Sequence, residues 1–132
     1  MPRVTDRKRT SWMIDRLLVD GNASLMGTTF YVDSNNGNSA NNGTDPLSAL
    51  ATIDQAVNKC TANKGDVIVV LPSHAETIGA AAGIDLDVAG VTVVGIGNGG
   101  SQPKVTFDTA DTVDIDIDAA NVPIINLHFT AN

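Results

Sequence analysis

Thirteen residues of this chain recur 31 positions apart. Ile84-Asp85-Leu86-Asp87-Val88-Ala89-Gly90-Val91-Thr92-Val93-Val94-Gly95-Ile96 returns as Ile115-Asp116-Ile117-Asp118-Ala119-Ala120-Asn121-Val122-Pro123-Ile124-Ile125-Asn126-Leu127, apolar for apolar and Asp for Asp. A period between about 20 and 50 residues is the mark of stacked units, none of which can bury its apolar face without a neighbour. Within each unit Ile or Leu alternates with Asp and a Val/Ile-rich run follows, so the unit is built of strands and not of helices. Strands repeating in one direction predict an all-β solenoid, a parallel β-helix.

Composition agrees. The 132 residues suffice for one domain with a modest core, and aromatics are scarce at 4% while Gly, Asn, Asp, Val and Ile are plentiful, as suits short strands joined by tight corners. The single cysteine, Cys60, has no internal disulfide partner and lies in an apolar helical stripe, which predicts a core position. No apolar run approaches the roughly 18 residues of a membrane span, and the basic start is not followed by the apolar stretch of a signal peptide. Neither a membrane nor an oxidising compartment is expected.

Charge divides the chain in two. Residues 1–16 carry five basic residues against two acids, whereas residues 17–132 carry three lysines against thirteen acids. An acidic body disfavours nucleic acid and anionic membranes as partners, while a basic arm can dock on an acidic surface. Residues 1–27 read as an N-terminal anchoring arm and residues 28–132 as the capped body. In the arm, Arg3, Arg7, Lys8, Arg9 and Arg16 sit beside Trp12, Ile14, Leu17 and Leu18, which supply the apolar anchors of a docking peptide. An arm of this composition orders when a partner surface holds it.

Residues 28–33 form a β-branched and aromatic strand that runs into an Asn/Gly loop ending at Pro46. Thr52 followed by Gln55 is a capping box, and Ile53, Ala56, Val57 and Cys60 fall on one face of a helix expected to end near Asn63. Residues 66–71 are a continuous apolar strand stopped by Pro72. The Gly95-Ile96-Gly97 element is followed by Pro103 and a further strand, so it is a turn and not a phosphate cradle.

The order Phe30-Tyr31-Val32-Asp33, an Asn/Gly loop ending Asn42-Gly43-Thr44, Pro46, then residues 51–57 and Gly65-Asp66-Val67-Ile68-Val69-Val70-Leu71-Pro72 resembles the start of right-handed parallel β-helix proteins of the pectate-lyase-like superfamily. The resemblance spans about residues 29–72. It implies a right-handed coil whose helix plugs the N-terminal opening, an opening shared with bacteriophage tailspikes, fibres and decoration proteins. A cap is also what physics requires, because an uncovered first turn exposes apolar interior and a row of unpaired backbone groups. At the other end the chain stops at residues 128–132, immediately after a strand, so a continuation or a partner subunit is expected to cover it.

The alternation predicts that Asp85, Asp87, Asp114, Asp116 and Asp118 point outward, with Asp85 over Asp116 and Asp87 over Asp118 at about 4.8 Å. Like charges that close repel, and a hard cation such as calcium would relieve them, as it does in related polysaccharide lyases. A solvated acidic face accounts for the same residues without a metal. No other cofactor is implied.

The related lyases abstract a proton with Arg or Lys, yet here no Arg follows Arg16 and Lys104 is the only Lys after Lys64. His74 and His128 have no nucleophile at a recognisable spacing and read as turn or surface residues. The expectation is therefore a non-enzymatic phage virion protein, assembled in the host cytoplasm, attached to capsid or tail proteins through its arm and associating as a homotrimer. The alternative is a module that binds or degrades polysaccharide, with a host-surface glycan as partner and an active site beyond residue 132.

Overall fold

The computed structural model describes residues 27–109 and 112–132. These residues form mostly short strands in parallel sheets, with little helix. The elements in chain order are β1 (Thr29–Val32), α1 (Ile53–Val57), β2 (Val67–Val70), β3 (Ala75–Ile78), β4 (Ile84–Asp85), β5 (Thr92–Gly95), β6 (Lys104–Phe107), β7 (Ile115–Asp116), β8 (Ile124–Ile125) and β9 (His128–Ala131). Single 3-10 turns occur at Pro46–Ser48 and Gly99–Ser101.

Three sheets result. The first has the order β1-β2-β5-β8, the second β3-β6-β9, and the third β4-β7. Every pairing between these strands is parallel. Parallel neighbours cannot be joined by a hairpin: from β2 the chain passes through β3 and β4 before returning to the first sheet as β5, and through β6 and β7 before returning as β8.

The strands alternate in burial. In β1 Phe30 and Val32 face inward, in β2 Ile68 and Val70, and in β5 Val93 and Gly95. Phe30, Val32, Ile68, Val70 and Val93 make one apolar cluster with Leu50, Ile53, Ala56, Val57, Ile78, Ile84, Leu86, Val91 and Val105. The space bounded by Ile53, Ile84, Leu86, Val93, Ile115, Ile124, Leu127 and Phe129 leaves about 10 Å³ free. That is no more than room for one water, so this interior is packed and is not a ligand chamber.

The 31-residue period governs part of the stacking. It sets Ile84 against Ile115 and Val93 against Ile124. Elsewhere the steps are 38 residues (Thr29 to Val67), 25 (Val67 to Thr92), 29 (Ala75 to Lys104) and 24 (Lys104 to His128). Corner length explains the last of these. From Gly95 the chain makes a 3-10 turn before reaching Lys104, whereas Asn126, with φ of 57°, turns within two residues to His128. The Asn126 side chain holds that tight corner by donating to the carbonyls of Gly95 and Gly97, each at 3.0 Å. Gly95 has no Cβ at the point where one would strike the Asn126 carbonyl.

Candidate functional site

The outer edges of the first-laid strands are covered. Leu50 makes a parallel bridge to Val32, donating to the Tyr31 carbonyl and accepting from the Asp33 N–H. Helix α1 packs against β1, β2 and β4 and buries Ile53, Ala56 and Val57. Its capping box is formed as the sequence predicts, with the Thr52 hydroxyl accepting from the Gln55 N–H. The Asp54 carboxylate accepts the Asp85 N–H of β4 at 3.1 Å.

The helix is shorter than the sequence suggests. It ends at Val57, not near Asn63, because Lys59 and Cys60 donate to carbonyls three residues back and the Asp66 carboxylate takes the Thr61 N–H at 2.7 Å. That carboxylate is buried and also accepts the Thr28 N–H at 2.7 Å, tying the end of the helical turn to the start of β1. Cys60 is half-buried and packs against the core. Burial, and secondarily the Asp66 charge, push its thiol up to about 12.

His74 departs from the sequence expectation of a turn or surface histidine. It is buried at 1% exposure. Its Nδ1 accepts the Ser34 N–H at 3.0 Å, which leaves the proton on Nε2, 3.0 Å from the Glu76 carboxylate. The same Glu76 oxygen accepts the Ile53 N–H at 3.1 Å, at the first residue of α1. One buried ring thus links the Asn/Gly loop, β3 and, through Glu76, helix α1. Next to it, Asp33 accepts from the Asn36 side chain and the Asn35 N–H. Burial alone would raise the Asp33 carboxyl, but these hydrogen bonds and the neighbouring His74 hold it below the usual carboxylate range.

On the third sheet Asp85 pairs with Asp116 as expected, and the bonds Leu86 N–H to Asp116 O and Ala119 N–H to Leu86 O continue the ladder toward Asp87 and Asp118. Asp87, Asp114, Asp116 and Asp118 are exposed. Asp85 differs from the expected outward carboxylate: it is half-buried beside α1, and its Oδ1 is buried without a hydrogen-bond partner. Among the described residues no group of three or more His, Cys, Asp or Glu side chains is arranged to hold a metal ion.

Desolvation, reinforced by Asp87, Asp118, Asp116 and Asp54, raises the Asp85 pKa above 3.8. The folded chain therefore binds this proton more tightly than the unfolded chain, and ionising Asp85 opposes folding as pH rises above 3.8. Asp85→Asn is expected to raise the melting temperature at pH 7, with the gain fading as pH falls toward 3.8 and absent below it. A thermal series of both proteins from pH 3 to 8 checks this. A gain that persists undiminished at pH 3 would mean that charge is not the cause.

The three sheets present different chemistry outward. The third is acidic. On the second, the outward rows are Ala75–Lys104–His128 and Thr77–Thr106–Thr130, with the Thr106 and Thr130 hydroxyls 3.1 Å apart. On the first, the register aligns Tyr31, Val69, Val94 and Ile125 in one outward row, flanked by Thr29, Val67 and Thr92. An unbroken apolar row on the outside of a sheet is the feature that sequence reading missed. Alternation signalled which residues face inward, but the register that lines up the remainder comes from the pairing.

The far end contrasts with the covered one. Among the described residues β7, β8 and β9 are the outermost strands of their sheets, and Ile117, Ile125 and Phe129 are exposed at 53%, 50% and 41%. The expected arm anchors Arg3, Arg7, Lys8, Arg9, Trp12, Ile14, Arg16, Leu17 and Leu18 lie outside the described residues. Among the described residues no helix is long and apolar enough to cross a membrane. Comparison with known proteins finds no family model, no curated protein and no solved structure that matches this chain.

Proposed function

We propose that this chain is a capped right-handed parallel β-helix that serves as a non-enzymatic structural component of a phage virion. Residues 1–27 attach it to capsid or tail proteins, and three copies pack side by side through the outer face of the first sheet. The observation that carries this reading is the apolar outward row Tyr31–Val69–Val94–Ile125. Contiguous outward apolar surface rimmed by polar residues is the usual mark of a protein–protein interface, and an aromatic at its end is typical. Side-by-side packing also assists a coil of few turns, which buries too little on its own to be strongly stable.

Sedimentation velocity of the full chain at micromolar concentration is expected to give a trimer, and Val94→Lys, which puts a charge in the middle of the row, a folded monomer. A wild-type monomer, or a trimer indifferent to Val94→Lys, overturns the assembly. The virion assignment is tested by labelling purified particles with an antibody to the body: labelling that is lost when residues 1–27 are deleted supports it, and unlabelled particles overturn it.

A further inference from the structure

We propose that the cleft where β3, β6 and β9 begin binds a small oxyanion, a phosphate or sulfate group. The cleft has a volume of about 340 Å³ and is lined by Ser73, Gly99, Gly100, Gln102, Lys104 and His128, together with Ala75 and one side of His74. That volume lies at the lower end of the roughly 300–1,000 Å³ of small-molecule sites.

Charge makes the first argument. Residues 17–132 carry thirteen acids, and their field opposes the approach of an anion almost anywhere on the body. No Asp or Glu lines this cleft, and it holds Lys104, the only Lys or Arg after Lys64. Among the described residues Lys104 makes no salt bridge. Glu76, which follows the lining residue Ala75 in the chain, has one oxygen committed to His74 Nε2 and the Ile53 N–H.

Hydrogen-bond supply makes the second. The register sets His128 directly beside Lys104 on the outward face, so two cationic or donor side chains share one wall. The Gly99 and Gly100 N–H groups, from the same lining, have no acceptor among the described residues, and nothing lies within 4 Å of where either Cβ would be, so the backbone is open to a ligand. Gln102 spends one N–H on the Asn126 side chain at 3.0 Å and keeps the other. Ser73 is fixed with φ of 66° by its N–H on the Ser101 carbonyl and by Asn35 on its own carbonyl, and its hydroxyl is unpaired among the described residues. Ammonium, imidazole, amide, hydroxyl and backbone N–H groups lining one cleft without a carboxylate are the donor set of an oxyanion site. His74 supplies shape and not a bond, since both its ring nitrogens are engaged.

This inference does not depend on the virion role. The test is a ¹⁵N–¹H titration of the full chain with inorganic phosphate at fixed pH and ionic strength, with sodium chloride as the control and Lys104→Gln and His128→Gln as variants. Saturable shifts at Gly99, Gly100, Lys104 and His128 are expected, weakened about tenfold or more in Lys104→Gln, since a charge-assisted bond is worth roughly 1.5–3 kcal/mol. Both variants alter exposed side chains, and unchanged resonances in β1 and β2 verify that they fold. Glucose 6-phosphate in a parallel titration separates the two sources of the group: tighter binding than phosphate assigns the cleft to an ester on a larger molecule, weaker binding to the free ion. Equal shifts with chloride, non-saturating shifts, or a Lys104→Gln variant that binds as wild type overturns the proposal.

Discussion

Replacing His74 with alanine is expected to cost about 3 kcal/mol of folding stability. The substitution removes a fully buried ring, leaves the Ser34 N–H without its acceptor and takes from Glu76 one of its two donors. A buried donor left unpaired costs about 1–3 kcal/mol, and the vacated volume adds to it. Because Glu76 also accepts the first N–H of α1, the damage should spread from the loop to the cap. Urea unfolding measures the total, and amide hydrogen exchange measures the spread, with Ser34 and Ile53 expected to exchange faster than in the wild type. A midpoint within the scatter of ordinary surface substitutions, about 0.5 kcal/mol, would show that the ring is a passive filler.

A loss of similar size is expected for Ile68→Ala, by a different mechanism. Ile68 is fully buried at the centre of the first sheet, with Phe30 and Val93 as its register partners on either side. Neighbours pinned by parallel ladders on both sides cannot collapse into the gap, so the expected cost lies in the range of about 2–5 kcal/mol found for such truncations. Leu47→Ala is the matched control. Leu47 is 94% exposed in the 3-10 turn after Asp45, and its removal is expected to change stability by less than about 0.5 kcal/mol. Against a total of roughly 5–15 kcal/mol for a chain of this class, Ile68→Ala alone brings folding near its limit, and the two unfolding midpoints measured side by side test the contrast. Equal midpoints would remove Ile68 from the centre of the core.

Local rules made much of the covered end legible. Thr52 and Gln55 announce the helix start, because a capping box needs only residues three apart. The helix end was misjudged because the residue that diverts the chain, Asp66, acts on Thr61 through its side chain while belonging to the next strand by pattern. His74 was misread for the same reason: its partner Ser34 is 40 positions away, and the Glu76 oxygen beside it takes the N–H of Ile53, 23 positions from Glu76. Nothing near Pro72 marks the ring as buried.

The repeat around Asp85 and Asp116 shows where the boundary runs. By itself the sequence determined that these residues are strands, that Ile84 and Ile115 face inward, and that the two Asp residues are neighbours at a step of 31, because alternation and period are properties of a chain read along its length. The tertiary structure alone decided that Asp85 is half-buried against α1 while Asp116 is exposed. It alone brought Lys104 beside His128 at a step of 24 and aligned Tyr31, Val69, Val94 and Ile125 into one row. Those outcomes depend on the length of each corner, and corner length is fixed by how Asn126, Gly95 and the Gly99–Ser101 turn pack against strands far away in the sequence.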